Sequence, residues 1–402
     1  MKILILCNKS PYPPKEGGPI AMNAIIEGLA GAGHQVKVLA VNSEKFAVDI
    51  NSIPDDYRIM TNIETVFIDL SIKPLDALMN LFSGKSYHVE RFISTNFKKK
   101  LIEILTRENF DIVQLETLYM SPYVETIRKY SAARILLRSH NIEHLIWKRV
   151  AAVTTNPLKK LYLKHLAKTL KNYELGVLDK FDGIVTITNK DGEYFRQIGC
   201  KTPVLAVPFG INLDKFKENP GIETEFPSLF SIGAMNWIPN EEGVKWFLDK
   251  VWPKLNQTFP ELKYYIAGRA MPDWLLKADL PNVVVVGEVE DAFDFMYSKA
   301  VEIVPLFSGS GIRIKIIEGM AAGRAIVSTT IGAEGIHVSH GENILLADNP
   351  NDFYDAVCKC VQNRELTRKL GENARKLVFA EHSNKELMLR LVDFYMLLNK
   401  SH

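Results

Sequence analysis

Short, continuously apolar runs alternate with segments of helical periodicity along almost the whole chain. In the first half the runs are Ile3–Cys7, Val36–Val41, Val66–Leu70, Ile112–Leu115, Ile135–Leu137, Ile184–Ile187 and Val204–Val207. In the second half they are Leu229–Ile232, Tyr264–Ala267, Val283–Val286, Val301–Val304, Ala325–Ser328 and Ile344–Leu346. A run that does not alternate with polar residues predicts a strand covered on both faces, as in a parallel sheet. The amphipathic segments between runs then serve as crossover helices. Pro208–Ser228 is rich in Pro, Gly and charge and has no period, so it marks a boundary. The pattern predicts an α/β protein of two Rossmann-like, doubly wound parallel-sheet domains, residues 1–208 and 209–382, facing across a cleft. A last helix over 383–400 opens on the capping-box spacing of Ser383 and Glu386. Leu387, Leu391, Phe394, Tyr395 and Leu398 lie on one of its faces. No strand follows, so this helix is expected to pack across both domains or back on the first. Open α/β sheets bind ligands outside the carboxyl ends of their strands, which is where candidate chemistry belongs.

Composition narrows the picture. A chain of 402 residues suits two domains. With 47% apolar and 24% charged residues it is neither disordered nor collagen-like. Lys and Arg number 49 against 47 Asp and Glu, a net charge of +2, so charge does not mark a nucleic-acid binder. Cys7, Cys200, Cys358 and Cys360 are too scattered for a disulfide framework, which points to a reducing cytoplasm. Cys358 and Cys360 fall on different faces of a helix and read as small apolar residues. No run approaches the ~18 to 20 apolar residues of a membrane span. The opening run ends at Asn8-Lys9-Ser10, so it reads as a strand and not as a signal segment. Leu158–Lys168 is basic and amphipathic, either the solvated face of a core-packed helix or a peripheral contact with a membrane surface.

Three loops at strand ends carry the candidate chemistry. After Val301–Val304 comes Ser308-Gly309-Ser310-Gly311, opening a helix that contains Arg313, Lys315 and Glu318. Free N–H groups at a helix start favour anions, and glycines let a phosphate approach the backbone. Gly311, Lys315 and Glu318 share a helical face, so a cation can meet a phosphate and a carboxylate can accept from a ribose diol. The competing reading is a solvated Lys-Glu pair behind a plain turn. The Gly-Lys-Ser/Thr ending of a P-loop is missing. After the first strand, Gly17-Gly18-Pro19 suggests a second anion site, with Pro19 at the first helical position. It lacks the G-x-G-x-x-G of dinucleotide folds. After Ile135–Leu137 comes Arg138-Ser139-His140-Asn141-Ile142-Glu143-His144, with Glu116 at the end of the neighbouring run. His140 and His144 have a zinc-compatible spacing, but no third ligand is evident and no metal is expected. Two further loops are either plain turns or binding elements. In one, Asn240 reads as a helix N-cap; in the other, Glu288-Val289 could present backbone groups to a base.

Together these segments resemble the family-four (group one) retaining glycosyltransferases of the GT-B fold. The likeness rests on Lys2–Leu6 with Gly17-Gly18, Arg138–His144, Pro208–Asn212 and above all Pro305–Gly335. It implies transfer of a sugar from a nucleotide diphosphate-sugar to a glycan, lipid-linked or other acceptor, with retention at the anomeric carbon, as in polysaccharide biosynthesis. The donor would be a substrate, with no cofactor. The second domain would bind the donor and the first the acceptor. His140 would be the active-site histidine beside the donor sugar, with Glu116, Arg138 and Asn141 on the acceptor side. Gly17, Gly18, Gly309, Ser310, Gly311, Glu318, Glu288 and Val289 would hold the nucleotide. The sequence departs from the family at Ser310, where a first glutamate is usual. It departs again at Met235-Asn236-Trp237 and Asn240, where an Arg and a Lys usually grip the diphosphate. Arg313 and Lys315 are the candidates to supply that charge. A nucleotide-sugar epimerase and a non-catalytic nucleotide-binding relative are the alternatives.

Overall fold

The structure is a computed structural model that describes residues 1–14, 17–71, 80–81, 83–216, 221–308 and 312–400. It divides into two compact units. Unit 1 is Met1–Gly210 with the C-terminal segment from Asn384, and unit 2 is Ile211–Ser383.

Unit 1 is built on a seven-stranded parallel sheet in the order β3-β2-β1-β4-β5-β6-β7. The strands are β1 (Lys2–Cys7), β2 (Gln35–Asn42), β3 (Glu64–Phe67), β4 (Ile112–Glu116), β5 (Arg134–Ser139), β6 (Gly183–Thr186) and β7 (Val204–Ala206). Unit 2 holds a six-stranded parallel sheet in the order β10-β9-β8-β11-β12-β13. Its strands are β8 (Ser228–Ile232), β9 (Lys263–Ala267), β10 (Val283–Gly287), β11 (Val301–Val304), β12 (Ala325–Ser328) and β13 (Leu345–Leu346). Both orders reverse direction beside their first strand, the doubly wound arrangement. The reversal lies between β1 and β4 in unit 1 and between β8 and β11 in unit 2.

Each apolar run forms a strand, and the departures are at sheet edges. The Val66–Leu70 run begins earlier as β3, because Leu39 to Asn42 of β2 pair with Glu64 to Phe67 and the ladder ends there. β10 alternates between half-buried and exposed residues, with Val284 and Val286 open to solvent. It is an edge strand covered on one face only, so its apolar run overstates its burial. The central strands are fully enclosed: Ile3, Leu4, Ile5 and Leu6 of β1 and Ile326 and Val327 of β12 have no exposed surface.

Helix Asn384–Lys400 packs on unit 1. Leu387, Met388, Leu391, Tyr395 and Leu398 join the cluster formed by Ile3, Ile5 and helix Gly17–Gly31. Asn384 Nδ2 donates to the Ala24 carbonyl at 3.0 Å. The helix therefore covers one face of the first sheet without adding a strand.

Candidate active site

In unit 2 the loops that leave β8 and β11 flank the point where strand order reverses. Helix Ile314–Ala321 starts just beyond β11, with Arg313 at its cap position. Lys315 therefore sits in the first turn, and Glu318 follows one turn on. Lys315 Nζ donates to Asn240 Oδ1 at 2.7 Å, and Asn240 Nδ2 donates to the Ala234 carbonyl at 2.9 Å. Among the described residues Asn240 is the one acceptor for this ammonium, which has three donors. Gly233 adopts a positive φ of 153°, and a Cβ there would lie 2.9 Å from Lys315 Nζ. A glycine at 233 is what lets the ammonium lie against the backbone at the end of β8.

The charges around Lys315 are unusual. Glu302 on β11 is fully buried, and neither carboxylate oxygen has a hydrogen-bond partner among the described residues. Its carboxylate presses on helix Ile314–Ala321 at Gly319, where a Cβ would lie 1.9 Å from Oε2. Burial pushes the Glu302 carboxyl well up, against the pull of Lys315, because an ionised carboxylate in such a place costs several kcal/mol. Burial also pushes Lys315 down, Arg313 adds to that effect, and Glu302 opposes it. Glu318 is pushed up to about 7 by burial, with Lys215 and Lys315 opposing. Arg313 is buried, with its guanidinium 5.7 Å from the Trp237 ring centre.

Several expectations change here. Asn240 is not a cap: helix Ile238–Lys250 has Trp237 in that position, and the Asn240 side chain turns to Lys315 instead. Lys315 and Glu318 are not a solvated pair, since both are half-buried and Lys315 turns to Asn240. Gly309, Ser310 and Gly311 lie outside the described residues. Glu288 and Val289 follow β10, two strand spacings, roughly 10 Å, from β8, and Glu288 is exposed. Glu302 and Gly319 were not singled out in the sequence, and Gly233 was read only as part of a loop, either a plain turn or a binding element. A lone glutamate inside an apolar run was the one signal for the first of them.

In unit 1, register builds the second polar cluster. Cys7 pairs with Glu116 and Glu116 with Arg138, so the three form one row across β1, β4 and β5. Glu116 and Arg138 have at most 1% of their surface exposed. Arg138 Nη1 donates to Glu116 Oε2 at 3.1 Å and to the Ala21 carbonyl at 3.1 Å. His140, just past β5, places Nε2 2.6 Å from the same Oε2. Gln114 Nε2 donates to Glu116 Oε1 at 2.7 Å, and the Tyr395 hydroxyl of the last helix donates to Gln114 Oε1. Burial works to raise the Glu116 carboxyl, but Arg138 and His140 prevail and hold it below the ordinary range. Burial holds His140 below its ordinary value despite Glu116, with Arg138 and Lys9 assisting. A neutral His140 must then carry its proton on Nε2, facing the ionised Glu116, which leaves a lone pair on Nδ1. Enclosure of Glu116 and Arg138 corrects the expectation that they face an acceptor directly. They orient His140. The Asn141 carbonyl accepts from Ser139 Oγ at 2.8 Å.

His144 belongs to a different set, which removes the shared-metal reading of the two histidines. Its Nδ1 lies 2.6 Å from Glu174 Oε2, and its Nε2 lies 3.0 Å from the Tyr194 hydroxyl. Glu174 also accepts from the backbone N–H groups of Glu143 and His144, at the start of helix Glu143–Val153. Gly17 and Gly18 form the first turn of helix Gly17–Gly31, and Pro19 is its third residue and not its first. Proline is tolerated there because first-turn N–H groups have no intrahelical acceptor. A Cβ on Gly18 would lie 3.1 Å from the Lys9 side chain.

Residues 226–363 match the family model for glycosyl transferases group 1. Over 401 residues the chain is 24% identical to an uncharacterized 44.6 kDa protein in the cps region of Klebsiella pneumoniae, covering 96% of this chain and 97% of that one. Sucrose-phosphate synthase from Thermosynechococcus elongatus has a similar fold, with a TM-score of 0.70, 15% identity and complete coverage of both chains. So does Anabaena HepE in complex with UDP-glucose, with a TM-score of 0.65 and 14% identity over 98% of this chain and 99% of that one.

Proposed function

We propose, from the premise that this chain belongs to the group 1 glycosyl transferases and has the GT-B fold, that it transfers a sugar from a nucleotide diphosphate-sugar to a glycan or lipid-linked acceptor with retention of configuration. One observation carries the reading: the Lys315 ammonium lies at a helix start against the Gly233 turn, at the reversal point of the second sheet, with donors left over after Asn240 among the described residues. When the anomeric C–O bond breaks, negative charge collects on the departing diphosphate. Lys315 and Arg313 supply fixed positive charge there, aided by first-turn N–H groups, and such preorganised charge is the largest lever on this kind of step. On this reading the leaving group is stabilised by protein cations. Glu318 accepts from the ribose hydroxyls, and backbone groups at Glu288-Val289 meet the base. In unit 1, the Gly17-Gly18 amides serve the nucleotide donor and the Nδ1 of His140 the donor sugar, with Glu116 and Arg138 holding the imidazole. The likeness to a solved UDP-glucose complex supports the donor class.

The test is a thermal-shift panel of UDP, GDP, ADP and their sugars, followed by transfer assays on the stabilising donor. Lys315→Ala and Glu318→Ala are expected to stay folded and to lose roughly a hundredfold or more in turnover for the lysine. Normal rates in both would defeat the assignment. Isomerised donor without any acceptor would show an epimerase. Stabilisation without turnover would show a binding protein.

A further inference from the structure

Helix Glu143–Val153 and helix Pro157–Val177 pack side by side as a hairpin in unit 1. Between Glu143 and Glu174 the sequence has no Asp or Glu, while Lys148, Arg149, Lys159, Lys160, Lys164, Lys168 and Lys171 are all cationic. This is a strong local excess in a chain whose net charge is only +2. Among the described residues, Lys148, Lys159, Lys164, Lys168 and Lys171 make no ion pair with a carboxylate. At the tip, Leu158 is 80% and Leu161 68% exposed, and Val150 of the other helix is also exposed. These leucines are not a stray edge of the core. The inner face of the same helix already buries Leu163, Leu166 and Leu170. At 3.6 residues per turn, Leu158, Leu161, Lys164 and Lys168 share the outward face. The tip is also held in shape: Asn156 accepts from the Lys159 N–H, and Lys160 Nζ reaches the Ala152 carbonyl at 3.0 Å.

We propose that this hairpin tip docks on an anionic lipid surface, with Leu158 and Leu161 entering the headgroup boundary and the lysines meeting lipid phosphates. Paired apolar and basic positions on one helical face are what such a surface selects. A soluble anionic partner would satisfy the lysines and leave the leucines in water. The inference does not depend on the donor reading, because none of these residues belongs to either candidate cluster.

The test is sedimentation of the full chain with phosphatidylcholine vesicles, with and without phosphatidylglycerol. Binding is expected only with phosphatidylglycerol, and it should weaken as salt rises. Lys164→Gln with Lys168→Gln should lower the partition coefficient roughly 30-fold, from about 1 kcal/mol per lysine. Leu158→Ala with Leu161→Ala should lower it roughly tenfold. Both double variants should keep the wild-type melting temperature and the same stabilisation by nucleoside diphosphates. The proposal is overturned if the wild type does not bind the anionic vesicles, or binds both kinds equally. It is also overturned if the leucine variant binds as well as wild type, or if a soluble polyanion is bound as tightly as vesicles and insensitively to the leucine change.

Discussion

At the scale of single residues, the second unit holds its charges in states that ordinary side chains do not adopt. In the proposed reaction Lys315 must be protonated to grip a diphosphate, and burial holds it below the usual lysine range. In the same proposal Glu318 must be ionised to accept from two ribose hydroxyls, and burial pushes it up to about 7. Donor kcat/KM is therefore expected to fall on the acid side through about pH 7 and again on the alkaline side. Glu318→Gln should lower the plateau and remove the acid limb. A flat profile between about pH 6 and 9 would refute this. Glu302 allows a separate test. Its folded carboxyl keeps a proton that the unfolded chain releases at lower pH, so the folded state binds more protons in between and stability drops as pH rises. Glu302→Gln carries no such proton, and its melting temperature should overtake that of wild type in alkaline buffer by roughly a few degrees. Equal midpoints at every pH would mean that Glu302 is not held protonated. Lys315 and Glu318 were legible because helical spacing puts them on one face beside a Ser/Gly loop. Glu302 and Asn240 were not, because their roles depend on which helix crosses their strand ends.

At the scale of elements, buried acceptors set where helices begin. Glu174 receives two backbone N–H groups and His144 at the start of helix Glu143–Val153. Glu174→Ala would leave three buried donors without an acceptor and should cost about 3 kcal/mol or more. Faster amide exchange confined to that helix and its neighbour would locate the loss, whereas unchanged exchange would contradict the cap. The last helix is the second case. Its apolar face was readable from Leu387 to Leu398, but a face does not say what it covers. The Tyr395 hydroxyl shows the answer by joining Gln114, and through it Glu116 and His140. Tyr395→Phe is expected to keep the fold, because the ring remains enclosed. It should loosen the hold on His140, visible as a shifted imidazole titration by NMR. An unshifted titration would mean that Gln114 is held without the tyrosine.

At the scale of the molecule, each unit has its own sheet and its own enclosed core, and the chain passes between them at 210–211 and again at 383–384. Unit 2 is one continuous stretch, so residues 211–383 made alone should fold and, on the proposed function, be stabilised by the same nucleoside diphosphate as the whole chain. Residues 1–210 without the last helix should not fold stably, since Ile3, Ile5 and Met22 would lose their cover. Cooperative melting of that fragment at the full-chain temperature would contradict this. The strands and the α/β class were legible in the sequence, because burial on both faces of a strand is written locally as an unbroken apolar run. The sequence also marked the helix that follows β11, because the spacing of Lys315 and Glu318 along one helical face is written in neighbouring residues. Which side chains meet was settled by the fold. Register set Glu116 beside Arg138, and the reversal of strand order brought Asn240, Gly233 and Glu302 around Lys315. Those contacts join residues distant in the chain, 22 positions apart for Glu116 and Arg138 and 75 for Asn240 and Lys315, and no local pattern encodes them.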